Sequence, residues 1–136
     1  MARDHEHRLR VRYAETDQMG RAHHAHYLVY MEEGRTRMMH ERGAPYGELE
    51  RQGYGLPVRR VELRYRAAAG YDEELVVRTR VASVRAASVR FEYEILRGAG
   101  GELLATGWTE LACVDMRRDP PAPTAFPPAV RTALES

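Results

Sequence analysis

Residues 8–14 (RLRVRYA) alternate: Leu9, Val11 and Tyr13 fall on one face, Arg8, Arg10 and Arg12 on the other. A period of two marks a half-buried strand. Residues 15–23 hold Gly20 and no clear period, which predicts a loop. From about His24 to Arg42 the period lengthens. Tyr27, Tyr30, Met31, Gly34 and Met38 form one stripe at helical spacing, and Glu32, Glu33, Arg35, Arg37, Glu41 and Arg42 fall mostly off it. Glu33 and Arg37 have the favourable i,i+4 order for an ion pair. Gly43 and Pro45 then stop the helix.

Beyond a glycine-rich loop the pattern returns to two. VRRVELRYRA points Val61, Leu63 and Tyr65 inward; ELVVRTRVASV does the same with Leu75, Val77, Thr79 and Val81; SVRFEYEIL with Val89, Phe91, Tyr93 and Ile95. RGAGGE reads as a hairpin turn. LLATGWTELACVDM reads as one long final strand, with Ala105 and Gly107 making a small face where a helix or ligand can come close. DPPAPTAFPP is extended, and AVRTALES predicts a short terminal helix. A strand, one long helix and four meandering strands give an α+β fold in which one bent sheet wraps one helix, a single domain over residues 1–136.

Composition narrows the function little but excludes several classes. The chain has 136 residues, enough for one core, and a net charge of +1, which gives no general pull toward nucleic acid or anionic lipid. No window approaches the ~20 apolar residues of a spanning helix. The start, MARDHEHRLR, is too polar for a signal peptide, so a cytoplasmic protein is expected. All 21 basic residues are arginine. Without lysine there is no Walker A loop and no Schiff base. No G-x-S-x-G and no H-E-x-x-H occurs, and GAGG at 98–101 sits in a hairpin. Cys113, the single cysteine, lies in an apolar strand as core. The HEH at 5–7 reads as a frayed terminus.

The chemistry concentrates in TDQMGRAHHAHY. His23, His24 and His26 near Asp17 raise a zinc reading, but adjacent histidines at a helix start diverge, so convergence on one ion needs an irregular backbone. The acid reading is simpler. Gly20 lets the loop fold back and bring Asp17 toward the first helical turn, whose N–H groups lack partners and carry partial positive charge. Such a terminus polarises a carbonyl oxygen while a carboxylate attacks it or deprotonates water. A turn-capping role for Asp17 is the alternative that spacing leaves open.

The segment RYAETDQMGRAHHAHYLVYMEEGRTRMM resembles the 4-hydroxybenzoyl-CoA thioesterase family of hotdog-fold acyl-CoA thioesterases. The pattern Y-x-D-T-D-x-x-G-x-V-x-H-x-x-Y-L-x-x-x-E-x-x-R is met by Tyr13, Thr16, Asp17, Gly20, His24, Tyr27, Leu28, Glu32 and Arg35. YRAAAGYDEELVVRTRV, SVRFEYEI, LLATGWTELACVD and FPPAVRTAL resemble later segments, so the likeness spans nearly the whole chain. It implies a hotdog fold, a bent five-stranded antiparallel sheet around one central helix. It also implies a homodimer joined edge to edge with the site at the interface, commonly pairing further into a homotetramer.

The resemblance further implies hydrolysis of an acyl-CoA, with Asp17 as nucleophile or general base and the backbone N–H near His24 polarising the thioester carbonyl. His24 lines the site, Gly20 shapes the loop, and Tyr27 and Glu32 lie near the substrate unless they serve packing and an ion pair with Arg35. Coenzyme A arrives as substrate, and no metal or organic cofactor is needed. Its phosphates would take cations from Arg59, Arg60, Arg85 or Arg90, each also readable as a solvated strand arginine. Departures fall at Glu15 for the first acid of D-T-D, and at Ala22, His23 and His26, which border the acyl pocket. An acyl-carrier-protein thioesterase and a non-catalytic acyl-CoA-binding module are the alternative functions. Neither nucleic acid nor membrane is expected as a partner.

Overall fold

The computed structural model describes residues 4–136; residues 1–3, the first part of the polar N-terminal segment, lie outside it. Five strands form one antiparallel sheet: β1 (His5–Arg10), β3 (Val58–Tyr65), β4 (Glu74–Val84), β5 (Ser88–Arg97) and β6 (Leu103–Ala112), in the order β1-β4-β5-β6-β3. The long helix α1 (His26–Glu41) packs on the face over β1 and β4. A six-residue helix α2 (Tyr46–Arg51) follows it. A small sheet of β2 (Tyr54–Gly55), β7 (Val114–Asp115) and β8 (Ala122–Pro123), then helix α3 (Pro128–Leu134), complete the chain. Among the described residues no helix is long and apolar enough to cross a membrane.

The period-two and helical stripes meet in one core. Tyr27, Tyr30, Met31, Met38 and Met39 of α1 are buried against Leu75, Val77, Phe91, Tyr93, Ile95 and Leu111. Two glycines set the approach. A Cβ at Gly34 would stand 2.7 Å from Thr79 Oγ1 and 2.8 Å from Val77 Cγ1, so α1 rests almost backbone-first on β4. A Cβ at Gly107 would stand 2.6 Å from Leu63 Cδ2 and 3.1 Å from Met31 Cε, so the small face on β6 takes the helix and the edge strand. Register shifts at Val81/Ser83, Val58/Arg60 and Ile95/Leu96 are the irregularities that bend a sheet.

Six sequence readings need correction. The HEH segment is not frayed: His5 and His7 stand opposite Thr79 and Val77 in β1, on the face that meets α1. His5 Nε2 lies 3.1 Å from Glu41 and His7 Nε2 lies 2.6 Å from Glu33, so Glu33 is taken by the strand rather than by Arg37. The strand ends at Arg10, and Tyr13 turns outward on a single 3-10 turn (Tyr13–Glu15), because residues 13–16 fold back on themselves. The final strand is not continuous: the Cys113 amide donates to Ala87 O, and the chain then joins the small sheet. Val61 and Tyr65 stay 44% and 48% exposed, since β3 is an edge strand that α1 does not cover. Arg35, placed off the apolar stripe by the period, is instead buried. Cys113 is buried, and burial pushes its thiol up.

Candidate active site at the start of the long helix

The loop that carries Asp17 is a small hairpin closed on itself. Thr16 and Ala22 make an antiparallel bridge, Asp17 N–H donates to Arg21 O at 2.8 Å, and Gly20 N–H donates to Asp17 O at 3.0 Å. Gly20 takes φ 74°, a left-handed turn that residues with a side chain seldom adopt. The hairpin is sewn to the β3–β4 connection by Ala22 N–H to Ala69 O (2.8 Å) and Tyr71 N–H to Gly20 O (3.2 Å). At its base the His23 N–H donates to Glu15 O at 2.8 Å.

Within this hairpin Asp17 caps a turn, the role that spacing left open, and also lines a cleft. Its Oδ1 accepts from the amides of Met19 (2.9 Å) and Arg21 (3.2 Å), a turn cap. Its second oxygen takes no hydrogen bond from the described residues. The half-buried carboxylate opens into a cleft of about 670 Å³ lined by Tyr13, Ala14, Thr16, Gln18, Gly20 and Tyr71. A carboxylate pinned through one oxygen keeps the other for an incoming atom without a rotameric search.

The helix begins three residues past the hairpin's base. His26 N–H donates to His23 O, Tyr27 N–H to His24 O and Ala25 N–H to His23 Nδ1. The His24 amide has no acceptor among the described residues, so it is a free donor at the positive end of a 16-residue helix. The His24 ring lies on the β3 side, outside the Asp17 cleft: it stacks on His23 at 4.1 Å and meets Tyr65 edge-on at 6.4 Å. The Tyr65 hydroxyl donates to His24 O at 2.9 Å. The His26 ring meets His23 edge-on at 6.4 Å, and among the described residues no three His, Cys, Asp or Glu side chains are grouped so as to hold a metal ion.

The other residues named from the sequence separate. Gly20 lines the cleft. Tyr27 is buried, and its hydroxyl accepts the Ala69 amide at 3.0 Å, which makes it a support for the loop. Glu32 is exposed, 3.6 Å from Arg35, beside a groove walled by Leu28, Val29, Val58 and Val61. Arg59, Arg60 and Arg90 gather on the opposite face of the sheet around Trp108 and Glu110. Arg59 bonds Glu110 at 2.7 Å, and Arg90 lies over the Trp108 ring at 3.9 Å. Arg85 sits on the β4–β5 hairpin. None of the four lines the Asp17 cleft of its own chain.

Three contributors escaped the sequence reading. Tyr71 faces Tyr13 edge-on at 5.9 Å across the cleft, yet it lies in an aperiodic loop with nothing to mark it. Glu15, noted only as a departure from a pattern, is the buried carboxylate of the site region, and Tyr30 is its hidden partner.

Comparison with known proteins identifies the family. The thioesterase-like superfamily matches residues 11–134. The chain belongs to the thioesterase-like superfamily. YneP of Bacillus subtilis is 38% identical over 107 residues, covering 79% of this chain and 77% of its own. The acyl-CoA thioesterase YbgC of Haemophilus influenzae is 32% identical over 127 residues, covering 93% and 90%. The crystal structure of the hypothetical protein TT1821 from Thermus thermophilus superposes with a TM-score of 0.88 at 37% identity, covering 96% of this chain and 97% of that one. The superfamily match begins at Val11 and so takes in the whole Asp17 hairpin, α1 and four of the five strands of the large sheet, all but β1. The bent antiparallel sheet with its long helix is the hotdog fold.

Proposed function

We propose that the chain is an acyl-CoA thioesterase, hydrolysing a thioester to free acid and CoA. The observation that carries this reading is the Asp17 carboxylate, with one oxygen tied by two amides and the other open to the cleft. The free His24 amide supports it, as do the names of the relatives. In one route Asp17 attacks the thioester carbonyl carbon, the CoA thiolate leaves and is protonated, and water cleaves the mixed anhydride. In the other Asp17 takes a proton from the water that attacks the same carbon. Either way negative charge grows on the carbonyl oxygen, and the His24 amide with the helix terminus answers it.

A homodimer belongs to the same reading. β3 is an open edge carrying Val58, Val61 and Tyr65 at 43%, 44% and 48% exposure, a strand ready for antiparallel pairing with its own copy. The arginines proposed for the CoA phosphates, Arg59, Arg60, Arg85 and Arg90, would then act across subunits.

Release of free thiol from short, long and aromatic acyl-CoAs is the test. Asp17→Ala and Asp17→Asn are expected to lower kcat on the best substrate by about 10² or more. Full activity in Asp17→Asn overturns the role of Asp17. Saturable acyl-CoA binding without turnover would favour a binding module, and turnover confined to acyl-carrier-protein substrates would move the activity to that class.

A further inference from the structure

Glu15 holds a position that closing a turn does not require. Its carboxylate accepts from the Arg12 amide at 2.9 Å, which is all the 3-10 turn needs. It also accepts from Arg12 Nε at 3.1 Å and from the Tyr30 hydroxyl at 3.0 Å. Tyr30 is fifteen positions away, on the buried face of α1, and is 1% exposed. Burial pushes the Glu15 carboxyl up, but the Arg12 amide, the Tyr30 hydroxyl and the Arg12 guanidinium together hold it below the ordinary carboxylate value. The matching cost falls on Tyr30, whose phenol burial and the Glu15 charge push upward.

The placement gives this tether a consequence. Glu15 is two residues before Asp17, and its carbonyl accepts the amide of His23, the residue before His24. One residue therefore joins the loop bearing the carboxylate to the helix whose first turn bears the free amide. We infer that Glu15 is a positioning residue, fixing Asp17 relative to the His24 amide by clamping the 15–23 hairpin to Tyr30. The inference rests on the thioesterase reading for its kinetic consequence and on the hydrogen bonds alone for its structural one.

Tyr30→Phe removes one hydroxyl from the core, and Glu15→Gln removes the charge while keeping the shape. Each is expected to lower kcat about tenfold with KM within about twofold, the signature of lost alignment rather than lost binding. The double variant is expected to be no worse than about threefold beyond the poorer single one, because the two act as a unit. Glu15→Asp, retaining the charge on a shorter arm, is expected to fall between Glu15→Gln and the parent.

Hydrogen exchange supplies a readout independent of activity. The Met19 and Arg21 amides, which donate to Asp17, are expected to exchange about tenfold faster in Tyr30→Phe, while amides of β5 do not change. A folded Tyr30→Phe with parental kcat, or with raised KM and parental kcat, overturns the kinetic role; parental exchange at Met19 and Arg21 overturns the clamp. If the parent releases no thiol from any acyl-CoA, the activity reading fails by itself, and the exchange result decides the clamp.

Discussion

Two buried charges sit along α1, and the protein treats them oppositely. Glu15 meets the helix in its second turn and is fully answered, with three hydrogen bonds on a carboxylate 6% exposed. Arg35, farther along at 4% exposure, is poorly answered. Its Nη1 lies 3.4 Å from the Tyr93 hydroxyl, Nη2 lies 3.6 Å from an exposed Glu32, and Nε has no partner among the described residues. The nearby Tyr46 hydroxyl is also buried without a well-formed hydrogen bond, close enough to feel the Arg35 charge. A buried charge is stabilising only when its geometry is good and its remaining hydrogen-bonding capacity is filled. The end of the helix next to Asp17 is thus held by polar bonds with a defined direction. Around Arg35 the buried face of the helix is held by shape, and its polar ties to β1, His7–Glu33 and His5–Glu41, lie on the exposed side.

The sharpest way to break this contrast is Glu15→Leu, which keeps bulk and strands the Tyr30 hydroxyl and Arg12 amide. It is expected to cost about 3 kcal/mol and to lower Tm by roughly 10 °C in a chain of this size. Thermal melts followed by circular dichroism decide it; a loss under about 1 kcal/mol would mean that Glu15 holds nothing. The sign of the pH effect follows from the same bonds. The folded carboxyl lies below its ordinary 4.5, so the folded state binds fewer protons than the unfolded one as pH approaches that value from above. The stabilisation is complete above the unfolded value and is lost as pH falls through the folded one. The parent is therefore expected to lose stability more steeply below about pH 4.5 than Glu15→Gln does.

If shape holds the other end, Gly34→Ala should be destabilising, though it adds one methyl group. That methyl would need 2.7 Å to Thr79 Oγ1 and 2.8 Å to Val77 Cγ1, both on a central strand. Overpacking of this kind costs about 1–3 kcal/mol, and the better helix propensity of alanine returns about 1. Both contacts fall below 3.0 Å, which puts the clash toward the upper end, so a net loss of about 1–2 kcal/mol is expected from denaturant unfolding. A stabilised variant would show that α1 shifts off β4 freely.

The same contrast explains what was legible in the sequence. The apolar stripe Tyr27, Tyr30, Met31, Gly34, Met38 and the strands of the sheet were readable, because burial of one face imposes a period. The turn at Asp17 and Gly20 was readable, and the helix start to within two residues, because a turn glycine and a carboxylate sit at a change of period. The clamp was not readable: Tyr30 reads as a core aromatic, and only folding brings its hydroxyl to Glu15. Arg35 was misplaced because a charge is counted as solvent-facing whatever the phase of the helix. His5 and His7 were misplaced because imidazoles carry no clear hydrophobic sign, yet they continue the inward face of β1. The arginines were read from strand phase, which tells which face they occupy but not that Trp108 and Glu110 already engage them.

The smallest effect belongs to the charge that looks most expensive. Arg35→Met keeps a long flexible stem in the same space and removes a guanidinium whose contacts with Tyr93 and Glu32 are long and whose Nε is unfilled. Nothing important is stranded: the Tyr93 hydroxyl still shares a 2.6 Å hydrogen bond with Thr109, and Glu32 is already in water. Buried charges replaced by apolar groups of similar volume are often neutral or stabilising. The variant is therefore expected to melt within about 3 °C of the parent, roughly 1 kcal/mol either way. A loss comparable to that of Glu15→Leu would show that Tyr46, Tyr93 and Thr109 depend on the guanidinium as Tyr30 depends on Glu15, and the two ends of the helix would then be held by the same means.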